Sequence, residues 1–523
     1  MQLLKVSNML ISRVLIHFWI KHPALFYGLS LLLGFYAFFF GFFQILVPLS
    51  ALLSPFVAYF FYQRQFLWKP FCLSLTLFCT CWFYGYVYYQ FPQLPKEGIE
   101  GTATISIQNI RLQRSFMGSK WLYYCEIQQF FPSSSSRSIA SHIKCAINLP
   151  HTSKIKRPLA QHDYLVKGKL VRNDKGFYVL KVSTLNPWEV VKSSWSFAEI
   201  RYQWKKKLQV WIQNHFSNSL SATFLSGLAT GEFDDQWLRG EFARFGLQHI
   251  MAISGFHFAI LIGLLALLLR LFLSRKYAAC LLLVLISSYA FFLGASPSIM
   301  RAWIMCALVV VGCLIEKNAF SLNSLGIALI GVVLYDPLFS QTIGFQFSFL
   351  TTAAILLLYR PLHYFLERLF IKRNLSEVIE MSLADQHGYC ILAFFRQGLA
   401  LMLAVNLCAC PLTLYYFDQF PLLSLLYNLF FPFLVAGALG LLIFSFLTAG
   451  IPVIGSFVQS FNNVYTHFIL KLTYNLPKEF DYHLRIENIS ELLLVSYLSF
   501  LFYIAIIMNE KGVSEECEFN SYV

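Results

Sequence analysis

The sequence predicts a polytopic α-helical membrane protein with an inserted, extracytoplasmic all-β domain. Three observations predict it. Of 523 residues, 57% are hydrophobic and only 13% are charged, which would leave a soluble domain with far too much apolar surface. Apolar runs of about 17–25 residues, long enough to cross a bilayer core, recur along the chain. They are interrupted by a polar stretch, residues 95–195, whose short segments alternate like strands.

Residues 1–94 hold three expected spans: Ala24–Phe40, Phe42–Tyr62 and Phe71–Tyr89. Lys5, Arg13 and Lys21 precede the first. Further spans follow at once with no small-residue cleavage pattern, so the first reads as an uncleaved helix rather than a signal peptide. Nine more spans are expected: Ile250–Leu273, Tyr277–Leu293, Ser298–Ile315, Ser321–Tyr335, Ile343–Tyr359, Leu399–Phe417, Pro421–Leu447, Val453–Leu472 and Leu492–Met508. They make a membrane core over 246–508, followed by a cytoplasmic tail, 509–523. The total is about 10–12 transmembrane helices, with Pro432 placed to split Pro421–Leu447 into two halves. Lys5, Arg13, Lys21, Arg64, Lys69, Arg270, Arg275, Lys276, Arg360, Arg368, Lys372 and Arg373 all fall on one side. That side is the cytoplasm, with both termini, and residues 95–195 lie outside.

The outside segment reads as five strands: "GTATISIQNI", "KWLYYCEIQQF", "IKCAINL", "DYLVKGKLV" and "GFYVLKVSTL". Five short strands suit a small OB-like barrel. From Lys96 to Lys192 there are fifteen Lys or Arg against six Asp or Glu, a net +9 out of +14 for the whole chain. The positive-inside rule does not predict that excess outside. Lys154, Lys156, Arg157, Lys167, Lys169 and Arg172, interleaved with Trp121, Tyr123, Tyr124, Tyr164, Phe177 and Tyr178, suit a surface that tracks phosphates and stacks bases. A solvated basic domain beside anionic lipid is the plainer alternative. Most of the twelve cysteines lie in apolar spans. Cys125 and Cys145 lie in the outside domain, each in an expected strand, where an oxidising compartment makes them a disulfide candidate.

Residues 196–245 connect barrel and core. Phe197, Ile200, Trp204, Leu208 and Trp211 recur at helical spacing, with Arg201 and Lys205–Lys207 around them. This reads as an amphipathic helix lying on the membrane.

The core then opens on "GLQHIMAISGFH". On one continuous helix His249, Ser254 and His257 fall within an arc of about 140°, and Gly255 points the other way. Polar groups in hydrocarbon are costly and face an interior or a wet path. A lone histidine most often satisfies an interhelical hydrogen bond, but three polar residues on one arc favour a pore or site. Arg301, Gln341, Gln346, Ser348, Asn406 and Pro411 add intramembrane polar or helix-breaking positions. Glu232, Asp234 and Asp235 are a weaker candidate metal set. Ser254 lacks the first glycine of a G-x-S-x-G elbow, and the histidines are not spaced as H-E-x-x-H. No catalytic residue, metal or cofactor is expected.

"HIMAISGFHFAIL" (His249–Leu261) resembles the hallmark motif of the ComEC family, the competence channels that import transforming DNA. "FLSGLATGEFDD" (Phe224–Asp235), "GASPSIMRAWIMCAL" (Gly294–Leu308) and "DPLFSQTIGFQFSFLTTAAIL" (Asp336–Leu356) resemble further family blocks in the same order. The resemblance implies a channel passing single-stranded DNA across the bacterial cytoplasmic (inner) membrane, with the OB-like domain handling incoming DNA. By motif, His249, Ser254, Gly255, His257, Arg301 and Gln346 line or shape the core. It also implies a DNA receptor outside, an ATP-driven motor or strand-binding protein inside and contact with membrane lipids, and it is compatible with a homo-oligomer. No P-loop is present to supply energy. Many family members end in a metallo-β-lactamase-like domain with an H-x-H-x-D-H cluster. The twelve histidines here form no H-x-H, so that domain is expected to be absent and strand degradation to fall to another protein. The competing reading is a secondary transporter of another anionic polymer or lipid-linked substrate. An intramembrane hydrolase using Ser254 ranks third.

Overall fold

The computed structural model describes residues 15, 17–41, 48, 68–92, 94–115, 118–151, 157–173, 177–182, 188–193, 196–251, 255–317, 320–370, 372–477, 479 and 481–521. Ten of the twelve expected spans fall on described residues, and each coincides with a helix; Ile250–Leu273 includes residues 252–254, which lie outside them. Phe42–Tyr62 falls almost wholly outside them.

Helices α1 (Pro23–Phe40) and α2 (Trp68–Tyr88) precede the β domain. Pro23 opens α1, where its missing N–H costs no helical bond. The half-buried amide of Ala24 donates to Asn323 Oδ1 at 3.3 Å, and Asn323 Nδ2 donates to Lys21 O at 3.0 Å. The partner helix comes within backbone contact here: a Cβ on Gly326 would lie 2.2 Å from Leu25 N, so only glycine allows this crossing.

The β domain has six strands: β1 (Ile99–Ser115), β2 (Gly118–Pro132), β3 (Ala140–Pro150), β4 (His162–Arg172), β5 (Tyr178–Val182) and β6 (Glu189–Ser193). The pairings run β1-β2-β3-β5-β4, and β4 returns to β1 to close the barrel. The β3–β5 pair is parallel and the others are antiparallel. This is OB topology. Alternation drives it: Ile105, Tyr123, Ile127, Ile143, Ile147, Leu170 and Leu180 point inward and are fully buried. The sixth strand, pairing outside β4, escapes a sequence reading because it is five residues long and edge-bound.

Cys125 and Cys145 stand directly opposite one another on β2 and β3. In the structure both are free, buried thiols. Both side chains face the packed barrel interior, where they serve as small apolar residues. Burial pushes the Cys125 thiol well above its ordinary range.

Three helices connect barrel and core: α3 (Phe197–His215), α4 (Ser219–Thr230) and α5 (Gln236–Arg244). Each is capped by a side chain the sequence supplies: Ser196 accepts from Ala198 N, Asn218 from Leu220 N and Ser221 N, and Asp235 from Trp237 N and Leu238 N.

The core then runs through α6 (Gln248–Met251), α7 (Gly255–Phe272), α8 (Arg275–Leu293), α9 (Pro297–Leu314), α10 (Ser321–Tyr335), a 3-10 turn (Pro337–Gln341), α11 (Ile343–Leu369), α12 (Leu375–Ile379), α13 (Leu383–Phe417), β7 (Gln419–Pro421), α14 (Leu423–Leu447), α15 (Pro452–Tyr474), β8 (His483–Arg485) and α16 (Glu491–Ser521). Among the described residues, eight helices are long and apolar enough to cross a membrane: α1, α2, α8, α9, α11, α13, α14 and the first part of α16. Shorter apolar helices cover His257–Phe272 and Ser321–Tyr335. This is a multi-pass membrane protein with an inserted β domain.

The prolines depart from expectation. Pro432 does not split its span, and Pro411 breaks nothing: α14 and α13 run through them. A proline removes one backbone bond and crowds one carbonyl, which a helix packed on several sides absorbs as a bend.

Candidate functional site

Two groups of buried charge can be built from the residues upward. The first joins the barrel to α3. Glu199 lies in the first turn of α3 and is buried. Arg157 reaches it from the segment before β4 in a bidentate pair, with Nη1 donating to Oε2 at 3.0 Å and Nη2 donating to Oε1. Ala160 N donates to Glu199 Oε2 at 3.2 Å. The Arg157 guanidinium also lies 4.6 Å from the Tyr202 ring centroid. Burial by itself would raise the Glu199 carboxyl; the bonds from Arg157, Ala160 and Gln203 outweigh it and hold the group below the ordinary carboxylate range. Nearly two turns further along α3, Lys205 is buried and donates to Glu232 Oε1 at 2.7 Å and to Leu293 O at 2.9 Å. Burial pulls Lys205 below the usual lysine range, and Glu232 only partly restores it.

This seam revises two expectations. Arg157 is committed to Glu199 and clamps the barrel, so it is not open to a phosphate. Helix α3 does not simply turn its charges to solvent: Lys205 is buried while Phe197 and Trp204 are exposed. Glu232 pairs with Lys205, and Asp235 caps α5.

The second group is Arg301. It sits in the second turn of α9 and is only 8% exposed. Its Nη1 donates to Ser348 O on α11 at 3.0 Å, and its Nε has no partner. No described carboxylate lies within ion-pair distance of it. Gly255, the first residue of α7, makes room for it: a Cβ there would lie 2.7 Å from Arg301 Nη2. A second buried arginine, Arg396, donates to Phe370 O at 3.0 Å. Phe370 caps the C-terminal end of α11, where unpaired carbonyls and the helix dipole favour a cation. Arg301 has no such end to face. A buried guanidinium with one neutral acceptor is far from satisfied, and its geometry suits an anion.

The structure brings Gly255, Arg301 and Ser348 together. His249 lies on α6, exposed, with Nδ1 3.1 Å from Gly246 O, and His257 is buried on α7. Ser254 lies between them, outside the described residues. Gln346 faces elsewhere, its Oε1 accepting a hydrogen bond from the Tyr416 hydroxyl on α13. It is two residues from Ser348, which on a helix puts it on nearly the opposite face. On the barrel, Lys167 and Lys169 share the outer face of β4, opposite Thr102 and Glu100 of β1. Arg172 ends that strand beside the Tyr178 ring at 5.8 Å. Lys154 and Lys156 lie outside the described residues. Sequence reasoning missed the acceptors and partners: Ser348 O, Glu199 and the pairing of Lys205 with Glu232. No local signal marks them, because each partner is supplied by a distant part of the chain.

The fold and site together define a class: a multi-pass membrane protein that carries an OB barrel and buries an uncompensated arginine among its helices. The particular family follows from comparison. The competence protein family model matches residues 229–511, more than half of the chain, and this chain belongs to that family. The ComE operon protein 3 of Bacillus subtilis (strain 168) is 28% identical over 222 residues, which cover 41% of this chain and 25% of that protein. The matched part thus spans a quarter of the relative's length. No solved structure matches the chain.

Proposed function

We propose that this protein is a membrane channel that passes single-stranded DNA inward across the cytoplasmic membrane during competence. The observation that carries the reading is Arg301: a guanidinium buried between α7, α9 and α11, with no carboxylate beside it among the described residues, within the family-matched region. An anion that visits and leaves is the partner such a group lacks, and a phosphodiester chain is a repeated anion. Gly255 keeps the approach clear, and His257 follows two residues later on α7. The basic OB barrel, with Lys167 and Lys169 on its outer face, gathers the strand electrostatically. Transport, not bond cleavage, is the activity proposed. Energy, the receptor and the removal of the other strand belong to partner proteins.

The test is uptake of labelled DNA into cells that lack the gene or carry wild type or Arg301→Gln, with membrane levels of the protein checked. The expected result is loss of uptake in the deletion and at least about a tenfold fall in the variant, equivalent to about 1.4 kcal/mol. Equal uptake in deletion and wild-type cells overturns the reading, and leaves transport of another anionic polymer or lipid-linked substrate as its replacement.

A further inference from the structure

Between the barrel and the membrane core lies a second concentration of cations. Arg201 stands one turn before Lys205 on α3, so the two share a face. Its Nη2 donates to Gln108 O of β1 at 2.9 Å, and its guanidinium lies against Gly294, just after α8, and 5.9 Å from the Phe291 ring. Arg111, three residues after Gln108 on β1, places its guanidinium 5.7 Å from the Tyr124 ring, and its Nε is buried without a partner. Both arginines press on the charge of Lys205. Facing these three cations is Glu232, and Lys205 holds it. The other acids nearby are also engaged: Glu126 accepts from Gln108 and contacts His142, and Asp336 pairs with Lys144.

We propose that Arg111 and Arg201 form a phosphodiester-binding mouth at the junction of β1, α3 and the end of α8, where single-stranded DNA is gripped before it reaches Arg301. The inference rests on the transport reading above and adds an entry site to it. Arg157 is not part of it, and neither is the outer face of β4. The chemistry is that of a single-strand platform: two guanidinium groups that form no ion pair among the described residues alternate with exposed aromatic faces, here Tyr124 and Phe291, on which bases stack. The Lys205–Glu232 pair beneath them fixes α3 against Leu293 and so fixes the spacing of the two arginines.

The experiment uses the full chain in zwitterionic nanodiscs and follows the anisotropy of a fluorescent single-stranded oligodeoxythymidine across a salt series. Arg111→Gln with Arg201→Gln should weaken binding about tenfold or more. It should also flatten the slope of log affinity against log salt by about 1.4, at about 0.7 for each phosphate no longer neutralised. Arg111→Lys with Arg201→Lys should restore most of the slope. Lys206→Gln with Lys207→Gln, which removes the same charge from exposed positions of α3, should stay within about twofold of wild type. An unchanged slope in the glutamine variant overturns the inference, and so does a lysine variant as weak as the glutamine one, which would make the arginines structural. An equal loss in the Lys206 and Lys207 variant reduces the effect to general charge and also overturns it. Discs containing phosphatidylglycerol separate a lipid occupant from a nucleic acid: if anionic lipid abolishes the arginine dependence, the site belongs to headgroups and the assignment falls. A wild-type chain that binds no oligonucleotide even at low salt defeats the transport reading itself, whereas binding that ignores the two arginines defeats only the mouth.

Discussion

Arg157 and Arg301 are both removed from bulk water, and their surroundings could hardly differ more. Arg157, at the barrel seam, meets a carboxylate with both nitrogens and lies over an aromatic ring. Arg301, among the helices, has one backbone carbonyl and, among the described residues, no acid. A fully paired buried ion holds parts together and breaks badly when half of it is removed. A buried ion left unpaired costs stability in the resting protein, so its presence points to a partner that comes and goes. The seam therefore reads as architecture and the core arginine as function, although in sequence both are simply arginines.

Breaking the seam should have the largest effect. Glu199→Ala leaves Arg157 half-buried and unpaired, and should lower stability by about 3 kcal/mol, read as a fall in the thermal unfolding midpoint of the purified chain. If Glu199→Ala melts like wild type, the contrast with Arg301 disappears. The same pair gives a pH signature. Its depressed carboxyl returns to about 4.3 on unfolding, so its stabilisation is complete above that value and is lost as pH falls through the lower folded one. The gap in unfolding midpoint between wild type and Glu199→Gln should thus hold steady from neutrality to about pH 5 and narrow below about pH 4. A gap that does not move with acid would mean that the carboxylate charge plays no part.

Gly255→Ala sharpens the other side. The new methyl meets the far end of a flexible side chain, so stability should fall by no more than about 1 kcal/mol, while DNA uptake falls because Arg301 is pushed from its place. Normal uptake in a well-expressed Gly255→Ala strain would show that the position of Arg301 is unimportant. The smallest expected effect has the opposite sign to that at the seam. Arg301→Met removes an unpaired charge from the interior and should leave the unfolding midpoint unchanged or raise stability by up to about 1 kcal/mol. A large destabilisation would make Arg301 a second structural clamp.

The sequence by itself determined a good deal. Runs of apolar residues place helices because backbone polar groups in lipid must be satisfied within the segment, and each expected span that falls on described residues is helical. Alternation placed five strands of the barrel, since burial on one face imposes period two. The competence motif, including Gly255 and Arg301, was legible as local pattern. Tertiary structure decided what each charge is for. Whether Arg157 is open or clamped depends on Glu199, 42 residues away, and whether Lys205 faces water or protein depends on Glu232 and Leu293. Local sequence carries the periodicity of burial because burial is a property of one face of one element. Charge compensation is a property of pairs, and the folded chain draws those pairs from elements far apart in sequence.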